Sequence, residues 1–357
     1  MKRVVLVGGG TAGHVEPALA VCNWLRKQSD QIALEFIGTK SGIEVELLVD
    51  TAITFHPIAK VPFPRALTFK TIIWPFKFIF ATTQALSAIK GSSVVIGFGG
   101  YVSAPAYLAA KLLNIPLVLH EANAKPGLAN ILGAKLTKDI FIAFESAKSL
   151  GGRWAKAINV GMPIKSEIDE FNKLDRAKLA NEFLSDLNLS SDKKTLLIFG
   201  GSIGAKQINS AIADSLVTLN ATGWNVVHSV GSANVLPSAN GNYVARNYIA
   251  NMVGAYAAAD FVISRSGAVT CAELQAVGVP ALLVPLKIGN GEQSANAQEL
   301  LESGQALKVE NSEFTSKWLQ ENIAKVLERA PKRTGGQTRH AAAKIGESVL
   351  RIIRVNQ

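Results

Sequence analysis

Read for hydropathy alone, the chain alternates short apolar runs with longer stretches in which apolar residues recur every three to four positions. Short runs stand at Arg3–Val7, Ala33–Ile37, Val94–Phe98, Leu117–His120 and Ile140–Phe144, then at Thr195–Phe199, Asn225–Val230, Phe261–Ser264, Ala281–Pro285 and Leu307–Val309. Most are apolar at nearly every position, as expected of strands covered on both faces. Helical periodicity fills the gaps, at Glu16–Lys27, Ile72–Ile89, Ala104–Leu113, Ala205–Leu219, Thr270–Ala276, Ser294–Ser303 and Ser316–Leu327. Strands alternating with helices predict an α/β fold with parallel sheets.

Both halves open with the same device. "VVLVGGGTAGH" and "LLIFGGSIGAKQIN" each run from a strand through glycines into a helix. Two such units predict two Rossmann-like parallel-sheet domains facing a cleft, over residues 1–163 and 164–335. Gly161-Met162-Pro163 marks the change of direction, and the polar segment Ser166–Lys194 opens the second domain. The last helix, His340–Val355 within residues 336–357, is expected to cross back to the first.

A length of 357 residues suits two domains, and 48% hydrophobic with 18% charged residues suits a globular chain. Cys22 and Cys271 lie far apart within helical patterns, which fits a reducing compartment rather than a disulfide framework. Five scattered histidines, without His-Glu-x-x-His or Cys-x-x-Cys, give no zinc pattern. Only four apolar residues precede the first glycines, so the start reads as a first strand and not a signal peptide. No run is expected to span a membrane.

The net charge of +10 is uneven. Residues 1–163 hold 17 Lys and Arg against 9 Asp and Glu, the remainder 20 against 18. No acidic residue occurs between Asp50 and Glu121. Such a stretch suits nucleic acid, an anionic membrane or a phosphorylated substrate, or is a solvated face.

Four loops carry candidate chemistry, because ligands of open α/β sheets sit beyond the carboxyl ends of strands. In Gly8–His14 glycines permit close backbone approach, and helix-start amides suit an anion. A neutral His14 there could take a proton from a hydroxyl, and the helix amino terminus disfavours its protonated form. The bland alternative is a tight turn. "GFGGYVSAPAYLAA" places Ser103 and Pro105 at another anion-ready helix start, or is a structural turn. "FGGSIGAKQIN" surrounds Ser202 with glycines without the spacing of a P-loop. "SRSGAVTCAELQAVGVPALLVP" sets Glu273 within two turns of a helix start, fit for paired ribose hydroxyls or for simple capping.

Together, in this order, these loops with "HEANAKPGLAN" and "GEQSANA" resemble the N-acetylglucosaminyltransferases of bacterial peptidoglycan synthesis, in glycosyltransferase family 28. The resemblance runs from Lys2 to about Val309. It implies the two-domain GT-B fold and inverting, metal-independent transfer without a cofactor. It implies UDP-N-acetylglucosamine as donor, lipid I (undecaprenyl-diphosphoryl-N-acetylmuramoyl-pentapeptide) as acceptor, and β-1,4-linked lipid II as product. Donor contacts carry over to Thr11, Ala12, Gly13, Asn123, Lys165, Ser202, Ile249, Ala268, Val269, Thr270, Glu273 and Gln293, with His14 as the catalytic base. Ala12 departs from a usual glycine, Met162 from an asparagine, Lys165 from an arginine and Glu292 from a glutamine. Lysine keeps charge at position 165 but loses bidentate geometry. No Asp-x-Asp occurs, so UDP charge falls to helix termini, Ser202 and Lys165.

A lipid-linked acceptor implies a peripheral protein on the cytoplasmic face of the bacterial membrane, not a nucleic-acid partner. "RALTFKTIIWPFKFIFATTQALSAIK" suits that surface, with Arg65, Lys70, Lys77 and Lys90 among Phe69, Trp74, Phe76, Phe78 and Phe80. It reads as too short and too charged to span, and some of its rings are expected to pack inward.

Overall fold

The computed structural model describes residues 2–49, 51–64, 69–201, 204–232, 234–287 and 291–355, and for Phe69 and Lys70 the backbone only. The chain forms two compact units, Met1–Ile164 with Arg339–Gln357, and Lys165–Thr338.

The first unit holds strands β1 (Lys2–Val7), β2 (Ile32–Gly38), β3 (Thr54–Pro57), β4 (Val94–Gly97), β5 (Leu117–Glu121), β6 (Asp139–Ile142) and β7 (Ile158–Asn159). They form one sheet in the order β3-β2-β1-β4-β5-β6-β7. Every pairing is parallel. The second unit holds β8 (Thr195–Phe199), β9 (Asn225–Ser229), β10 (Tyr243–Arg246), β11 (Phe261–Ser264), β12 (Ala281–Leu283) and β13 (Ala306–Lys308). Their order is β10-β9-β8-β11-β12-β13, again all parallel. In both sheets the strand order reverses beside the opening strand. That places a switch point between β1 and β4 in one unit and between β8 and β11 in the other.

Pleating divides the first core. Val4 and Leu6 face a layer built by the helices Ala12–Gln28 and Ala341–Val355. Val5 and Val7 face the layer of Phe69–Ile89, Ser103–Leu112 and Leu128–Ala134. Because successive side chains alternate sides, an apolar run buries both faces at once. The last helix packs on the first: Gly346 leaves room for the Trp24 ring, which a Cβ would strike.

Three strands escape the hydropathy reading: β3, β7 and β10. All three close a sheet at its edge, and β3 and β7 are half exposed, so their patterns are not continuously apolar. Two expected helices are interrupted. Ala205–Leu219 is two helices, Lys206–Ala213 and Leu216–Ala221, parted at Asp214-Ser215, where Ser215 Oγ donates to the Ser316 carbonyl at 3.3 Å. Ser294–Ser303 likewise resolves into Glu292–Asn296 and Gln298–Glu302.

The expectation that no segment could span a membrane needs correction. Thr71–Ile89, 19 residues of mean hydropathy 1.3, is long and apolar enough by length and composition. Its inner face is nevertheless committed to the core, with Ala81, Ala85 and Ile89 fully buried. Trp74 also turns inward: its indole N–H donates to the Pro62 carbonyl at 3.0 Å, and its ring lies 5.5 Å from Phe63 and 5.0 Å from Phe78. Ile72, Phe76, Ile79 and Phe80 stay 57–71% exposed. Arg65 lies outside the described residues.

Candidate functional site

At the first switch point the loop after β1 is shaped by a buried carboxylate. Glu44 accepts from Thr39 N at 2.7 Å, Thr39 Oγ1 at 2.9 Å and Gly10 N at 3.4 Å. Gly10 sits at φ +87°, a conformation glycine adopts without strain. Thr11 is the N-cap of Ala12–Gln28, so Ala12, Gly13 and His14 form its first turn.

His14 Nδ1 lies 3.2 Å from the Gly9 carbonyl oxygen and 3.1 Å from Thr11 Oγ1. A carbonyl only accepts, so the Gly9 contact requires the proton on Nδ1. In the neutral ring Nε2 is then the basic nitrogen. The ring lies over the loop after β4, where a Cβ added to Gly99 would stand 3.4 Å from Nε2. The two glycine loops therefore meet at the histidine.

The β4 loop is held from below. Gly97 lacks the side chain that would strike the Tyr107 ring. Gly99 N donates to Tyr107 Oη at 3.2 Å, and Tyr107 Oη donates to Asn130 Oδ1 at 2.7 Å. Asn130 Nδ2 donates to Glu121 Oε2 at 2.9 Å. Glu121 also accepts from Asn123 N at 2.8 Å and Gly127 N at 3.0 Å. Burial pushes the Glu121 carboxyl up, and the hydrogen bonds it accepts act against that. Asn123 is thus fixed by the acid two residues before it. Ser103, expected to face an anion, turns inward instead: it is fully buried and its Oγ donates to the Gly99 carbonyl at 2.6 Å. A hydroxyl at a helix start competes for the nearest backbone acceptor, and here that acceptor lies in the loop.

In the second unit the expected donor residues follow the carboxyl ends of four strands. Gly200, Gly201 and Gly204 follow β8. Gly204, at φ +83°, abuts the Val230 carbonyl where no Cβ fits. Ser202 lies outside the described residues. Ile249 follows β10 and is buried; Asn251 caps the next helix through Oδ1, which accepts from Gly254 N at 2.9 Å.

After β11 comes the helix Ala268–Val277, with Ala268, Val269 and Thr270 in its first turn. Glu273 Oε2 accepts from Tyr256 Oη at 2.9 Å, which fixes the half-buried carboxylate. Gln293 follows β12. Its Oε1 accepts from Leu286 N at 2.9 Å and its carbonyl accepts from Ser266 Oγ at 2.9 Å, so it ties two loops together. Arg265, at the end of β11, is buried; Nη1 donates to the Val284 carbonyl at 2.9 Å and to Asn311 Oδ1 at 2.6 Å. Lys165 is exposed, at the first position of this unit. Among the described residues no cluster of three or more His, Cys, Asp or Glu could hold a metal ion.

Sequence reasoning passed over Glu44, Tyr107, Asn130 and Arg265. The signal for Glu44 was available: an acid five residues after Thr39, at the start of the short helix Glu44–Leu47 that follows Gly38 and Gly42. Tyr107 and Asn130 stand 23 residues apart, and no local pattern joins them.

Residues 4–142 match the glycosyltransferase family 28 N-terminal domain and residues 195–350 its C-terminal domain. A UDP-N-acetylglucosamine–N-acetylmuramyl-(pentapeptide) pyrophosphoryl-undecaprenol N-acetylglucosamine transferase of Streptomyces coelicolor is 41% identical over 352 residues, covering 96% of this chain and 94% of that protein. The transferase of the same name from Frankia casuarinae is 42% identical over 340 residues, covering 92% and 88%. The crystal structure of Acinetobacter baumannii MurG is similar with a TM-score of 0.68 and 27% identity, over 99% of each chain. UDP-GlcNAc 2-epimerase from Neisseria meningitidis, 15% identical with a TM-score of 0.65, is alike in fold alone. With both domains matched and relatives above 40% identity along nearly the whole chain, the chain belongs to glycosyltransferase family 28.

Proposed function

We propose that the protein transfers N-acetylglucosamine from UDP-N-acetylglucosamine to the 4-hydroxyl of the N-acetylmuramoyl sugar of lipid I, releasing UDP and giving lipid II. The observation that carries this is identity above 40% to transferases of that name along nearly the whole chain. The geometry of the two glycine-lined switch points supports it.

The first unit takes the acceptor. As the hydroxyl oxygen attacks the anomeric carbon from the face opposite UDP, its proton passes to His14 Nε2, and Nδ1–H stays on the Gly9 carbonyl. The new bond is β-1,4, with inversion. The bond from the anomeric carbon to the UDP oxygen breaks, and the electron pair leaves with the diphosphate.

The second unit takes the donor. Glu273 accepts from the ribose hydroxyls, and Ile249 adds a further donor contact. Amides at the start of Ala268–Val277 meet the diphosphate with Ser202, and Lys165 adds a positive charge. Gln293 reaches the sugar, and Thr11, Ala12, Gly13 and Asn123 complete the donor contacts. No step calls on a metal.

We further infer a peripheral position on the cytoplasmic face of the membrane. Exposed Ile72, Phe76, Ile79 and Phe80, with Lys77 beside them, support it. The deciding experiment is turnover of labelled UDP-N-acetylglucosamine with lipid I, against diacylglycerol as acceptor and with EDTA present. Lipid II forms and chelation leaves the rate intact. Transfer to diacylglycerol alone, or a need for added divalent ion, overturns the reading.

A further inference from the structure

A polyprenyl-linked sugar brings its own diphosphate, and in the reaction as derived above nothing in the first unit yet meets that charge. We propose that Lys60 does: its ammonium binds the diphosphate of the polyprenyl-linked acceptor beside the Gly8–Thr11 loop. The inference rests on the acceptor assigned above and adds to it a residue and a ligand group.

Lys60 follows β3. Its neighbours Ile58 and Val61 are buried, so the backbone is anchored while the lysine itself stays exposed. Ala59 N donates to Gln84 Oε1 at 2.8 Å, which ties this loop to the helix Phe69–Ile89. The Lys60 ammonium stands 5.3 Å from the centre of the Tyr101 ring. The ring edge in turn borders the first glycine loop, since a Cβ on Gly10 would meet Tyr101 Cε1 at 3.0 Å. Cation, ring and glycine loop therefore follow one another at the carboxyl end of the sheet, at the switch point where β1 and β4 lie side by side.

A ring face holds an ammonium without neutralising it. The carboxylate that shares this loop, Glu44, is buried and already accepts from Thr39 N, Thr39 Oγ1 and Gly10 N. A compact ammonium on a flexible stem meets a phosphate group as a point charge, with no fixed fork geometry to satisfy.

The other end of the same loop gives the ligand its direction. Pro62 accepts from the Trp74 indole at 3.0 Å, and the Phe63 and Trp74 rings lie 5.5 Å apart. The loop thus joins the His14 side of the unit to the helix whose outer face exposes Ile72, Phe76, Ile79 and Phe80. A diphosphate at Lys60 directs its sugar toward the glycine loops and its hydrocarbon tail toward that helix. A nucleoside diphosphate has no use for the second feature.

The test compares Lys60→Met, which keeps the stem and removes the charge, with Lys60→Arg, which keeps the charge. Turnover is measured with a short-chain, water-soluble lipid I analogue and no vesicles, so that membrane attraction plays no part. Losing a charge-assisted contact should raise the acceptor KM in Lys60→Met about tenfold or more. The kcat and the KM for UDP-N-acetylglucosamine should stay within about twofold, and Lys60→Arg should restore most of the loss.

Calorimetric binding of geranyl diphosphate gives a reading independent of turnover, and it should weaken in Lys60→Met by a similar factor. An unchanged acceptor KM in a wild type that turns over, or equal geranyl diphosphate affinity in both proteins, overturns the role of Lys60 and leaves the acceptor assignment standing. A rise in donor KM in place of acceptor KM overturns it too, by assigning Lys60 to UDP. Failure of the wild type to use the analogue counts against the acceptor assignment, while the geranyl diphosphate comparison still decides on Lys60.

Discussion

At His14 a backbone carbonyl does the work that a carboxylate does in many catalytic histidines: it fixes which nitrogen carries the proton. Removing the ring should act on the chemical step and not on donor binding. His14→Ala is expected to lower kcat by ~10²–10⁴-fold, the usual range for general-base catalysis, with UDP affinity unchanged by calorimetry. A fall of less than about tenfold in a folded variant reduces His14 to a packing residue of the loop. Glu273 is tested from the other side. Its carboxylate is already oriented by Tyr256, so a ribose bound there would require little reordering. Glu273→Ala should lose at least about tenfold in UDP affinity, since a hydrogen bond to a charged group contributes ~1.5–3 kcal/mol. Titration giving wild-type affinity removes Glu273 from the donor site.

Among the elements, the helix Phe69–Ile89 has two faces with different tasks. Ala81, Ala85 and Ile89 bury it in the core it shares with the helix Ser103–Leu112, and Ile72, Phe76, Ile79 and Phe80 are left to the outside. Lys77→Glu combined with Phe76→Ser should therefore reduce cosedimentation with phosphatidylglycerol vesicles at low salt while leaving UDP affinity alone. Each basic residue near an anionic surface contributes ~1 kcal/mol, screened by salt. Equal binding of variant and wild type, or equal binding to neutral and anionic vesicles, argues that this face serves something other than a membrane.

The same helix marks how far the sequence could be read. Its length and periodicity were legible, but which rings turn inward was not. Trp74 is set by Pro62 and Phe63, and no period encodes that contact. Central strands were legible because both their faces are buried, whereas edge strands β3 and β7 carry mixed patterns. The glycine loops were visible for the same local reason. The buried chain Tyr107–Asn130–Glu121 beneath them was not, because it exists only once distant segments have met.

Across the whole molecule, each unit buries one neutral histidine. His120 donates from Nε2 to the Gly161 carbonyl at 3.0 Å. His228 contacts Tyr243 Oη at 2.9 Å and Asn209 Oδ1 at 3.2 Å. Burial lowers both to about 4 from the ordinary 6.5. Between those values the unfolded chain binds protons that the folded chain refuses, so stability falls as pH drops from 6.5 toward 4. The slope is ~1.4 kcal/mol per pH unit for each histidine. Glu121, raised by burial, works in the opposite sense in the first unit, because protonation relieves its buried charge. The effect is therefore cleanest at His228. Thermal midpoints should decline from pH 7 to pH 5, and His228→Gln should flatten that decline. A parallel decline in both proteins shows that His228 does not drive it.

The return of Ala341–Val355 to the first unit also sets an order of events during synthesis. Val15, Ala18, Val21, Cys22 and Leu25 on the first helix share one core with Ala341, Ile345, Val349 and Ile353. A ribosome delivers the early partners more than three hundred residues before the late ones. At ~5–20 residues per second the uncovered helix waits tens of seconds for its lid. Meanwhile Lys165–Thr338 leaves the tunnel as one uninterrupted segment that holds its own sheet. The first unit therefore closes this flank of its core only with residues made after the whole of the second. The interval in which a chaperone has most to hold is the one before the last helix emerges.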